Sequence, residues 1–158
     1  MRGVLGQLDQ ADSGSAGERD LTVIDMEASI EHLSRGTLRH VDTLLIVAEP
    51  YFRALETAGR TVKLARDLAI PNVFAVANKV RTPEDAQAVR DYCAGHDLEV
   101  VAVVPFDESV TTADRNGNAL LDVAPDSPAV AAITSLADRV AGRQAVAGQA
   151  VAGQAVSA

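Results

Sequence analysis

Residues 43–104 read TLLIVAEPYFRALETAGRTVKLARDLAIPNVFAVANKVRTPEDAQAVRDYCAGHDLEVVAVV, and in them short β-branched runs alternate with longer helical patterns. The runs Thr43–Ala48, Val73–Ala77 and Glu99–Val104 are continuously apolar, as strands buried on both faces are, whereas a half-exposed strand alternates. Leu55, Ala58, Val62, Ala65 and Ala69 recur at three- and four-residue steps, so one apolar stripe predicts a helix that ends before Pro71. Thr82 can cap the next helix, Pro83 suits its first position, and Asp85 places negative charge at its positive end. Ala86, Val89 and Cys93 form its inward face, which makes Cys93 core filling. Upstream, Leu21–Ile24 reads as one more buried strand. Downstream, Ser127-Pro128 opens a last helix with Val130, Ile133, Leu136 and Val140 inward. Strand and helix therefore alternate, and the fold class is α/β: a parallel sheet with helices on both faces. Ligands of such sheets bind beyond the carboxyl ends of the strands.

The 158 residues carry 22 acidic against 14 basic side chains, a formal charge of −8, and 47% are apolar. A chain of this length makes one domain and buries roughly two thirds of its extended surface. Lys63 and Lys79 are the only lysines and the arginines are scattered, so there is no basic stripe to displace counterions and nucleic acid is not expected as a partner. One cysteine excludes an internal disulfide and an all-cysteine metal site within the chain. No apolar run reaches the roughly twenty residues of a transmembrane segment, and the N-terminus lacks a signal-peptide layout, so a cytoplasmic setting is expected. Three regions are expected: residues 1–20, a short helix around Val4, Leu5 and Leu8 with a polar loop; residues 21–141, the α/β domain; and residues 142–158, a low-complexity QAVAG tail. Gly142, Gly148 and Gly153 each cost a helix about 1 kcal/mol relative to alanine, so the tail is expected to fray. His32, His40 and His96 make no recognisable metal spacing, and His32 and His40 read as solvated surface.

The strand ends carry the candidate chemistry. Asp25 follows the first run, where a hard oxygen ligand suits Mg²⁺. Asn78-Lys79 follows the third, and an asparagine, both donor and acceptor, can read the edge of a purine. Pro105-Phe106-Asp107-Glu108 follows the fourth. Taken in order, these motifs resemble the MinD/ParA-like division of P-loop ATPases, nearest to the nickel-insertion accessory ATPases of carbon monoxide dehydrogenase maturation. The resemblance runs from about residue 20 to 134. Asp25-Met26-Glu27-Ala28-Ser29-Ile30-Glu31-His32-Leu33 is similar to that family's Walker B and switch II segment. The resemblance implies ATP and Mg as cofactors, with Asn78, Lys79, Pro105 and Asp107 on the adenine side. It puts Glu27, Ala28 and Ser29 on the phosphate side and Asp25 at the magnesium.

Departures from the family pattern shape the expected function. That family begins with a strand and a glycine-rich loop whose lysines and backbone amides hold the phosphates. No Gly-Lys pair exists in this chain. The resemblance thus implies an N-terminally truncated or degenerate ATP-binding domain, without the first strand and P-loop and inactive in hydrolysis alone. A homo-oligomer, or a partner chain supplying the missing strand and loop, is the expected complement. Ser29 stands where the family has glycine, and no Cys-x-Cys pair is present to bind metal across a dimer. Two alternatives remain open: a receiver-like phospho-acceptor domain using Asp25 and Lys79, and a non-catalytic interaction module whose incomplete sheet invites pairing. A GTPase is excluded, because Arg81 in Asn78-Lys79-Val80-Arg81 replaces the carboxylate that guanine requires.

Overall fold

The apolar runs become β1 (Thr43–Ala48), β2 (Asn72–Val80) and β3 (Glu99–Pro105), joined by α1 (Phe52–Asp67) and α2 (Pro83–Ala94). After β3 follow α3 (Glu108–Arg115), the short α4 (Leu120–Val123) and α5 (Pro128–Ala152). This computed structural model describes residues 21–26 and 41–152, with side chains up to residue 142. All three strands are parallel in the order β1-β2-β3, so their carboxyl ends open on one side.

One sheet face meets α1 and α2 through Ile46, Ala48, Leu55, Ala58, Val62, Ala75, Ala77, Val89 and Cys93. The other face, with Val76, Val101 and Val104, packs against Ala129, Ala132 and Leu136 of α5 and Leu120 of α4. Helices thus cover both faces, as the runs of continuous apolar residues required. The inward face of α5 differs from expectation: Ala129 is buried while Ile133 is 50% exposed. Ser127 does cap α5, accepting from the Val130 N–H at 3.3 Å. Alanine content carries α5 through Gly142 and Gly148 to Ala152, past the point at which fraying was expected. Residues 1–20 and the end of the tail lie outside the described residues.

Three helices stop in the same way. Ala69 takes φ +55°, its N–H reaching the Arg66 carbonyl at 2.9 Å while the Ile70 N–H reaches Ala65 at 3.1 Å. This is a Schellman motif, closed by apolar contact between Ala65 and Ile70. Asp97 and Leu98 repeat it on Ala94 and Cys93, and Gly117 and Asn118 on Asp114 and Ala113. Ala69 is therefore the exposed turn residue after α1 and not part of its buried stripe. Arg66 fixes the second turn by donating to the His96 and Asp97 carbonyls at 2.7 and 3.0 Å. At the start of α2, Thr82 and Asp85 form the capping box the sequence predicted, with Pro83 behind it.

Residues 21–26 depart furthest from expectation. They form no strand, and Leu21, Val23 and Ile24 are 46%, 83% and 39% exposed. A parallel strand requires a ladder partner, and apolar composition does not supply one. Among the described residues the outer edge of β1 stays unpaired. Beside that edge Val47 is 62% exposed, because α5 packs chiefly on β3. No described helix is long and apolar enough to cross a membrane.

Val89 is fully buried between α2 and the sheet. Val89→Ala should lower the unfolding free energy by about 2 kcal/mol in urea denaturation, whereas Ile133→Ala should stay within about 0.5 kcal/mol.

Candidate functional site

Parallel strands deliver Glu49, Asn78-Lys79 and Pro105-Phe106-Asp107 to the same side of the sheet. Between the paired residues Ala77↔Val103 and Val80↔Pro105, β2 spends one residue more than β3, so Asn78-Lys79 forms a bulge. The ladder closes beyond it, where the Phe106 N–H donates to the Val80 carbonyl at 2.8 Å. Arg81 then lies over the Phe106 ring, its guanidinium carbon 3.4 Å from the centroid. The Arg81 and Thr82 N–H groups both donate to Asp85, at 3.0 and 3.2 Å.

The bulge sets Lys79 at φ +56°, in the left-handed region. For a side chain with a Cβ this costs on the order of 1 kcal/mol or more, and such strain gathers at functional sites. Lys79 Nζ meets Glu49 Oε1 at 2.6 Å, linking β2 to the end of β1. Lys79 is 55% and Glu49 33% exposed, so an ion pair of this kind contributes up to about 1 kcal/mol. The two terms are of one size. Asn78 beside them is half-buried, and its carboxamide bonds to no described residue. A polar group in that position is prepared for a partner from outside.

Asp107 has a structural task at the end of β3. It is the N-cap of α3, accepting from the Ser109 N–H at 2.8 Å on one oxygen and from the Ala129 N–H at 3.3 Å on the other. Both oxygens are thus engaged in joining the starts of α3 and α5. The Ser109 N–H, aided by that of Ala129, holds the carboxyl below its ordinary pKa.

Asp25 is exposed, and its neighbour Met26 packs with Val41, Leu44, Ala65, Ile70 and Val73. Those residues surround the amino ends of β1 and β2. Among the described residues Lys79 is paired with Glu49 and not with Asp25. No group of three or more His, Cys, Asp or Glu residues among those described could hold a metal ion. Glu27, Ala28, Ser29, His32 and His40 lie outside the described residues. His96 is half-buried, stacked on Tyr92 at 4.5 Å with Nδ1 2.9 Å from the Tyr92 carbonyl. Cys93 is buried, and burial pushes its thiol pKa up, in keeping with core filling. Sequence reading missed Glu49 as a partner of Lys79, since 30 residues separate them and only the strand pairing brings them together.

No protein-family model matches the chain. The carbon monoxide dehydrogenase accessory protein CooC of Rhodospirillum rubrum is 39% identical over 130 residues, covering 81% of this chain and 49% of that protein. An uncharacterized ATP-binding protein of Methanocaldococcus jannaschii is 43% identical over 99 residues, or 62% of this chain and 38% of its own. The chain thus spans about half the length, or less, of these curated relatives. A ParA family ATPase from Chlorobium tepidum superposes with a TM-score of 0.56 at 26% identity, covering 66% of this chain and 44% of that one. The cell division protein MinD of Aquifex aeolicus gives a TM-score of 0.57 at 21% identity over 66% of this chain and 46% of its own, a likeness of fold.

Because folding depresses the Asp107 pKa, its stabilisation is complete above the unfolded value near about 4 and drains away as pH falls through the lower folded value. Asp107→Ala should accordingly be less stable than the parent at pH 7. The gap should narrow below about pH 4 in urea titrations across pH.

Proposed function

We propose that this chain, which belongs to the MinD/ParA-like ATPases and stands close to the CooC accessory proteins, provides the base-binding half of an ATP site. One observation carries the reading: the half-buried, unbonded Asn78 carboxamide on a strained bulge at the carboxyl end of the central strand. Asn78 offers an acceptor to the adenine amino group and a donor to a ring nitrogen. Lys79 and Pro105 flank the base, while Asp107 builds the loop by capping and does not read the base itself. The relatives named as ATP-binding support nucleotide as the ligand.

The sequence holds no Gly-Lys pair with which to build the phosphate half. Lys63 lies exposed on α1, and Lys79 is paired with Glu49. Charge-assisted hydrogen bonds to phosphate are worth roughly 1.5–3 kcal/mol each, so without them ATP is held little better than its nucleoside. The unpaired outer edge of β1 and the exposed Val47 beside it suit a further parallel strand carrying that loop. We assign that strand to another chain or to a second, longer copy of the family. Asp25 and the Glu27–Ser29 segment belong to the phosphate side only in such a completed sheet.

Titration of the isotope-labelled chain with adenosine should give saturable NMR shifts at Asn78 and Lys79 at roughly millimolar concentration, with ATP less than about tenfold tighter and no phosphate release above the blank. Micromolar ATP affinity with turnover, or shifts that leave Asn78 unmoved, would overturn the reading.

A further inference from the structure

We infer that Glu49 is the positioning residue of the base site: by holding Lys79 in its left-handed conformation it keeps Asn78 aimed at the ligand. The inference rests on the base-site reading above and extends it to a residue on a different strand. Three observations meet at this point. The bulge puts one extra residue into β2 between Ala77↔Val103 and Val80↔Pro105, offsetting the extra Val101 of β3 between Ala75↔Val100 and Val76↔Ala102, so its shape is sustained locally. Lys79, at φ +56°, lacks the freedom of a glycine to stay there unaided. Its ammonium group is 2.6 Å from Glu49 Oε1, and Glu49 is itself anchored, since its carbonyl accepts the Tyr51 N–H at 2.8 Å where α1 begins.

The geometry couples the ends of β1 and β2. If the ion pair is lost, Lys79 can relax toward ordinary extended backbone. A bulge that relaxes re-aims the side chains next to it, and Asn78 is the nearest. The carboxamide would then present neither donor nor acceptor in the fixed order that separates adenine from guanine. Arg81 cannot substitute for the missing contact, because its guanidinium is occupied by the Phe106 ring.

The test uses the full chain, with Glu49→Ala, the milder Glu49→Gln, and Glu56→Ala as a control on another exposed ion pair, that with Arg60. Amide NMR shifts at Asn78 and Lys79 report the bulge, and affinities for adenosine and guanosine report the aim. Glu49→Ala should move both amides, weaken adenosine about fivefold and shrink its preference over guanosine, with little change in thermal midpoint. Glu49→Gln, which keeps an acceptor oxygen, should fall between, and Glu56→Ala should match the parent. Parent-like amides and an unchanged base preference in Glu49→Ala would overturn the inference. If the parent itself binds no adenosine, the base-site reading fails separately, and the two amides still decide whether Glu49 positions the bulge.

Discussion

The hydrogen bond from the Phe106 N–H to the Val80 carbonyl closes the β2–β3 ladder beyond the bulge, and the strand ends depend on it. Because pairing resumes at Val80↔Pro105, the extra residue in β2 cannot be absorbed by fraying. The backbone accommodates it by turning left-handed at Lys79. Lys79 carries that turn, Glu49 receives its ammonium group, and Asn78 is left half-buried without a partner among the described residues. A constraint of pairing in the sheet thus becomes a polar group waiting for a ligand.

The rest of the architecture delivers the three strand ends to one place. Schellman turns after α1 and α2 set the starts of β2 and β3, and the Thr82–Asp85 capping box starts α2 directly after the bulged strand. Asp107 does the same for α3 and α5. The loops after β2 and β3 therefore run into helices whose first N–H groups meet side-chain caps, whereas α1 has no side-chain cap.

Sequence periodicity carried the core of the fold: continuous apolar runs marked β1, β2 and β3, and the stripe Leu55, Ala58, Val62 and Ala65 marked the buried face of α1. Thr82-Pro83 and Ser127-Pro128 announced helix starts through chemistry that is local. What stayed hidden depends on distant contacts or on unusual backbone. The left-handed residues Ala69, Lys79 and Asp97 carry no glycine to signal them. Leu21–Ile24 reads as a strand from composition, yet strands exist only in pairs, and those residues have no ladder among the described ones. Asp107 showed that one carboxylate after a strand can serve a ligand or a helix end, and spacing does not distinguish the two. Asn78 was legible as a candidate because an amide at a strand end is informative by chemistry alone, although Glu49 was not.

The central claim is that the base of a nucleotide is read at the bulge of β2 while its phosphates are held by residues from elsewhere. Photolabelling with an azido-substituted adenosine, followed by peptide mapping, tests it most directly. The labelled residues should fall within 78–81 and 105–107 and be protected by excess adenosine. Labelling that maps to the groove lined by Glu56 and Lys63 of α1 and by Tyr92 and His96 at the end of α2, or that adenosine fails to suppress, would contradict it.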